Sequence, residues 1–142
     1  MSSALPKKTV ASVIERDGGI CVLRISPDCT GVGSCADHRA NRGHGGAKHR
    51  VLDQTSNLIA ACGFCNGFKE SNADREALIL RGVRVESGRT HRHTADKARM
   101  IPVEYPNGDR WLLDDEGGRS RVRRGGEHEQ VADAAAGDQG RR

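Results

Sequence analysis

The segment CADHRANRGHGG, residues 35 to 46, sets Asp37 beside His38 and runs on through Arg39 and Arg42 into a glycine-rich loop. An imidazole close to neutral at physiological pH can take a proton from water, and an adjacent carboxylate is a hard oxygen ligand suited to magnesium or manganese. Lys48 and Arg50 add to the two arginines, with no acidic residue between His38 and Asp53. A loop of this charge offers contacts to phosphate. Neighbouring residues on a strand point to opposite sides, so Asp37 and His38 reach one phosphate only from irregular or tilted backbone. Gly43, Gly45 and Gly46 permit such bends nearby. His44 and His49 read as solvated loop histidines.

A second chemistry starts at CGFC, residues 62 to 65. Its two-residue spacer lets one tight turn deliver two thiolates to a tetrahedral ion. Two of Cys21, Cys29 and Cys35 must complete a four-thiolate zinc site, and the expected set is Cys21, Cys29, Cys62 and Cys65. Cys35 is the expected spare, because it stands two residues before Asp37 and zinc ligation would tie down the strand that aims the Asp-His pair. Ser26-Pro27-Asp28 can turn the chain between Cys21 and Cys29. Cys35 stays open as the alternative ligand to Cys29. A redox CxxC usually follows a strand in a thioredoxin-like alternation, which is missing here; inert core cysteines are the third reading.

Elements must position these groups with little apolar material. The chain has 142 residues, 35% hydrophobic and 3% aromatic, with 18 glycines. That length allows one ordinary domain with a thin core, which a metal would help to hold. A formal charge of +4 and a pI near 9.0 suit a polyanionic partner, although such a balance on its own is usually just a solvated surface. The polar, basic opening MSSALPKKTV and the lack of a long apolar run predict a soluble cytoplasmic protein with reduced thiols.

Val10, Val13 and Ile14 predict a helix over residues 7–16, stopped by Asp17-Gly18-Gly19. NLIAAC, residues 57 to 62, reads as a strand. Phe68, Ala77, Leu78 and Leu80 predict one helix after Cys65 that Gly82 ends. PNGD between Ile101–Tyr105 and Arg110–Leu113 predicts a hairpin. From about Glu116 the chain lacks period and bulky residues and is expected to be disordered. Arg89, His91, Arg92, His93, Lys97 and Arg99, with Arg119, Arg121, Arg123 and Arg124 in the tail, are phosphate contacts or solubilising charge.

The order RDGGIC, then ADHRANRG, then NLIAACGFCN resembles the HNH family of nucleases over roughly residues 13 to 70, with the phage-like, actinobacterial branch the most similar. The resemblance implies a ββα-metal fold: a strand carrying Asp37-His38, a loop, a strand near Asn57 to Ala61, and a helix opening at about Cys65. It also implies His38 as general base, Asp37 and Asn66 as ligands of a catalytic magnesium or manganese ion, and Asn57 as the residue fixing the loop around His38. Two departures stand out: Asn66 replaces the third motif letter, His, and the first cysteine pair is spaced far wider than CxxC.

The expected fold class is α+β, a small zinc-stapled domain over residues 1–115 with an N-terminal helix, a motif core at 13–81 and a hairpin at 100–114. Residues 116–142 form the expected basic and polar tail. The expected function is metal-dependent hydrolysis of DNA phosphodiester bonds, with Arg39, Arg42, Lys48 and Arg50 on backbone phosphates. The alternative is a non-catalytic zinc-stapled DNA-binding accessory of a phage terminase or a restriction complex. A thiol oxidoreductase is the third class.

Overall fold

The computed structural model describes residues 4–41, 50–71 and 73–123. They form a mixture of helices and two small antiparallel sheets, compatible with an α+β class. No described helix is long and apolar enough to cross a membrane.

The first helix, α1, spans Lys7–Arg16 and buries Val13 against Leu58 and Ala60, with Ile14 and Leu5 packed at the edge. Pro6 stands at its N-terminus, where a missing N–H costs nothing. Gly18 and Gly19, at φ of 73° and 74°, end it as expected. At the end of the helix, Arg16 and its C-cap Asp17 form a lock. The Arg16 guanidinium bonds both Asp17 oxygens at 2.8 and 2.9 Å and the carbonyls of Thr55 and Leu58 at 2.9 and 2.7 Å. Asp17 also accepts from Ala60 N at 2.9 Å and from the buried Tyr105 hydroxyl.

Strand β1, Cys35–His38, pairs antiparallel with β2, Leu58–Ala61, placing Asp37 opposite Ile59 and His38 opposite Leu58. Two short 3-10 turns, Arg50–Asp53 and Thr55–Asn57, lead into β2. The chain then enters α2, Gly63–Ser71, and α3, Arg75–Leu80. The sequence predicts one helix here. Asp74 divides it by capping α3, its carboxylate accepting from Ala77 N at 3.3 Å. Gly82 ends α3 at φ 75°, and a Cβ there would sit 1.9 Å from the Pro102 carbonyl oxygen.

A fourth helix, α4, spans His91–Met100, within what the sequence offered only as a basic cluster. Thr90 caps it, accepting from His93 N at 3.0 Å. Its buried residues are Thr94, Ala95 and Ala98, too small and too polar to announce an apolar face.

Strands β3, Val103–Glu104, and β4, Arg110–Leu113, flank the PNGD turn as expected, with Gly108 at φ 92°. The tail expectation fails at its start. Arg119–Val122 forms β5 on the free edge of β4, so the sheet order is β3-β4-β5. Arg119 replaces the missing bulky residue: its guanidinium lies 3.9 Å from the Trp111 ring centroid and 4.8 Å from that of Tyr105. Asp114 Oδ1 makes the turn, accepting from Glu116 N at 2.9 Å and Gly118 N at 2.8 Å. The remainder of the expected tail, 124–142, lies outside the described residues.

The main core joins Cys21, Val22 and Leu23 to Ile59, Cys62, Cys65, Leu78, Val83, Val103, Tyr105 and Leu113. The half-buried Arg81 reinforces this apolar cluster, donating to the carbonyls of Leu23 and Val22 at 2.8 Å each.

Candidate functional site

Cys62 precedes α2 and Cys65 lies in its first turn, so the helix start presents both thiols to one point. Cys21 and Cys29 meet them there, and the four sulfurs lie within 4.8 Å of one another. Zinc–thiolate bonds of about 2.3 Å require tetrahedral edges of about 3.8 Å. The Cys62–Cys29 sulfur separation is 3.9 Å. These four residues could hold a metal ion such as zinc.

The wide Cys21–Cys29 spacer closes by turn chemistry. Cys29 N donates to Ser26 O at 3.0 Å, Asp28 N donates to Ser26 Oγ at 2.9 Å, and Arg24 takes a left-handed φ of 45°. Backbone N–H groups also aim at the sulfurs: Ile25 and Ser26 at Cys65, Gly31 at Cys29, Cys62 at Cys21 and Cys65 at Cys62, all between 3.2 and 3.4 Å. Such donors favour thiolates. Burial pushes the Cys21, Cys29 and Cys65 thiols up. Burial also opposes ionisation of Cys62, yet N–H donation from Thr30 and Cys65 and the Cys65 and Cys29 thiols bring it down to about 6. Cys35 stands outside this group, its thiol donating to Ala61 O at 3.3 Å.

The Asp-His pair sits on regular β1, so its side chains diverge. Asp37 turns toward α2 and is 5% exposed; its Oδ2 is 2.6 Å from Lys69 Nζ. Lys69 also donates to the carbonyls of His38 at 2.8 Å and Val83 at 3.3 Å. Burial raises the Asp37 carboxyl, and the Lys69 ammonium opposes the rise. Asn66, three residues before Lys69 on α2, points its amide N–H at Cys35 Sγ, 3.8 Å away.

His38 turns the other way. Its Nε2 is 2.8 Å from Asp53 Oδ1, its side chain is 18% exposed, and Nδ1 has no hydrogen-bond partner among the described residues. Asn57 is fully buried and uses its whole amide: Oδ1 accepts from Ala40 N at 3.0 Å, while Nδ2 donates to Ala40 O at 3.0 Å and Leu52 O at 2.9 Å. One side chain thus ties the chain just after His38 to the chain just before Asp53.

These contacts test the catalytic-cation set of Asp37 and Asn66. A carboxylate committed to a buried ammonium, with one neutral amide on the same side, does not fit a dication in this arrangement, since the ion would meet Lys69 as like charge.

Arg39 is a correction. It is 1% exposed and reaches no solvent phosphate. Its guanidinium instead donates to four carbonyls, Gly82 at 2.8 Å and Ser56, Ala98 and Ile101 at 2.7 Å each. Burial lowers its pKa to about 10, which still leaves it charged at neutral pH. Arg50 is exposed and lies 3.3 Å from Asp53 Oδ2. Arg42, Lys48, His44 and His49 fall outside the described residues.

Asp53 and Lys69 are functional candidates that the motif alone does not single out. Asp53 had a signal as the first acid after the basic loop, and Lys69 as a cation one turn beyond Cys65 and Asn66 on their helix. No known protein family, curated protein or solved structure matches this chain.

Proposed function

We propose that the chain is an endonuclease of the HNH type that hydrolyses DNA phosphodiester bonds, with zinc on Cys21, Cys29, Cys62 and Cys65 as a structural staple and His38 as general base. The observation that carries the reading is His38 itself. It stands at the end of β1, partly exposed, with one ring nitrogen on a carboxylate and the other without a protein partner among the described residues. The order β1, β2, α2, with Asn57 gripping the residues beyond His38, supports the same reading.

In the reaction, the free His38 nitrogen accepts a proton from a water molecule as that water attacks phosphorus, and the bond to the leaving ester oxygen breaks, that oxygen keeping the electron pair and taking a proton from solvent. The proton held by His38 then passes to solvent. Arg50 would meet a neighbouring phosphate oxygen. Magnesium or manganese is the cofactor class the resemblance implies, and it would supply charge neutralisation at the phosphate. Since Asp37 and Asn66 do not form a ready cation site, such an ion would have to arrive with the DNA. A reducing cytoplasm would keep the four thiols available for zinc.

One observation favours a second reading. The Asp37–Lys69 pair stands where the family resemblance implies a cation ligand, and a chain without a cation there would grip DNA without cutting, as an accessory of a phage terminase or restriction complex. Incubating the zinc-loaded protein with supercoiled plasmid separates the two. Nicked or linear product with magnesium or manganese, lost on adding EDTA, is the expected result. Plasmid retardation without any product would establish the binding module.

A further inference from the structure

We infer that Asp53 is a positioning residue for His38, holding its imidazole in the Nε2–H tautomer so that Nδ1 is the nitrogen left to take the proton. The inference rests on the reading of His38 as general base.

A neutral imidazole carries one donor and one acceptor nitrogen, and an ionised carboxylate can only accept. Asp53 Oδ1 lies 2.8 Å from Nε2, so that nitrogen carries the hydrogen. Nδ1 then keeps its lone pair on the side without a protein partner among the described residues. The carboxylate is itself well fixed. Its side chain is 6% exposed, it lies on the Arg50–Asp53 turn beside buried Leu52, and Asn57 Nδ2 holds the Leu52 carbonyl at 2.9 Å. The same amide holds both ends of Ala40, two residues beyond His38. Donor and acceptor are therefore located by one shared side chain across a separation of fifteen residues in sequence.

The second carboxylate oxygen gives the inference its sharpest consequence. Arg50 Nη1 lies 3.3 Å from Asp53 Oδ2 and can only donate. In Asp53→Asn, a near-isosteric change, Arg50 favours the amide oxygen on its own side. The amide NH2 then faces His38 Nε2, which must accept, and the hydrogen moves to Nδ1. The attacking water would meet a donor where it needs a base.

The test compares wild type, Asp53→Asn and His38→Ala as zinc-loaded proteins. Nitrogen-15 spectra of the imidazole, recorded well above the ordinary histidine pKa, read the tautomer without reference to activity. Plasmid cleavage with magnesium or manganese reads kcat and KM. The expected result is an Nε2–H imidazole in wild type, an Nδ1–H imidazole in Asp53→Asn, and a fall in kcat of about 100-fold or more with KM nearly unchanged. Zinc content and melting temperature should match wild type, which a merely structural role for Asp53 would not allow. Wild-type cleavage with an undiminished kcat in Asp53→Asn, or an Nδ1–H imidazole in wild type, would overturn the role of Asp53 alone. If wild type shows the Nε2–H imidazole but never cuts DNA, the endonuclease reading falls and takes the catalytic purpose of Asp53 with it.

Discussion

Lys69 Nζ lies 2.6 Å from Asp37 Oδ2, with both side chains no more than 5% exposed, and the same ammonium grips the His38 carbonyl. Asp37 thus acts on His38 through the backbone, by way of a lysine on α2. Breaking a buried pair by removing one partner leaves the other charge uncompensated, at a cost of about 3–5 kcal/mol. Lys69→Met and Asp37→Ala should each destabilise the zinc-loaded protein by that order in chemical denaturation. The double variant should lose less than the sum. If Lys69→Met left stability unchanged, Asp37 would be available for a cation and the ion pair would not be a fold element.

His38→Ala removes the group assigned to proton transfer and touches no thiol. Cleavage should fall by about 100- to 10,000-fold, the usual worth of a positioned general base, with zinc content unaltered. A variant that cut plasmid at the wild-type rate would remove His38 from the chemistry.

The cysteines separate by place. Cys29 is one of four sulfurs within 4.8 Å of each other, whereas Cys35 stands apart and touches Ala61 O and Asn66. In a thin core, metal binding is a large part of folding stability. Cys29→Ser should lose zinc and melt far lower, while Cys35→Ser should keep one zinc per chain. The opposite pattern in a metal-content and melting comparison would make Cys35 the ligand.

Legibility in the sequence followed apolar period and turn chemistry. Val10, Val13 and Ile14 marked α1 at its observed bounds, Asn-Gly marked the β3–β4 turn, and CxxC marked half of the thiol cluster. The missing information concerned polar groups whose partners are distant in sequence. Arg39 looked like a surface cation because nothing local shows that Gly82, Ala98 and Ile101 will surround it with carbonyls. Lys69 and Asp53 are ordinary charged residues until β1 brings Asp37 and His38 to them. Helix α4 hid because alanines and a threonine make its buried face, and β5 because an arginine stacked on Trp111 stands in for an apolar side chain.

Arg39 itself yields a test, since four carbonyls on three segments, Ser56, Gly82 and the end of α4 with Ala98 and Ile101, depend on one planar fork. Lysine has no such fork and must leave some of them unpaired, at about 1–3 kcal/mol for each buried group. Arg39→Lys should therefore lower the melting temperature while the affinity of the folded protein for DNA stays near wild type. A loss of DNA affinity without loss of stability would return Arg39 to the phosphate surface.

Basic charge near the C-terminus is unevenly distributed. Residues 124–142 contain Arg124, Arg141 and Arg142 against Glu127, Glu129, Asp133 and Asp138, a net charge of −1. Apart from Arg124, the candidate cations of this region lie before them, on and just after β5. Arg119 is committed to the Trp111 and Tyr105 rings, but Arg121 and Arg123 are exposed, Arg121 sharing an ion pair with Asp109 at 3.3 Å. For every phosphate that a cation no longer neutralises, the slope of log affinity against log salt should become shallower by about 0.9. Removing residues 124–142 should thus leave both melting temperature and salt slope close to those of the full chain. Arg121→Ala with Arg123→Ala should weaken DNA binding and make the slope shallower by about 2, with the fold intact. Removing residues 117–142 should instead melt the protein lower, because it strips β5 from β4, takes Arg119 off Trp111 and removes the Gly117 N–H that Thr55 Oγ1 accepts at 3.1 Å. A salt slope unchanged by the two arginine substitutions would show β5 to be a structural edge with no part in DNA contact.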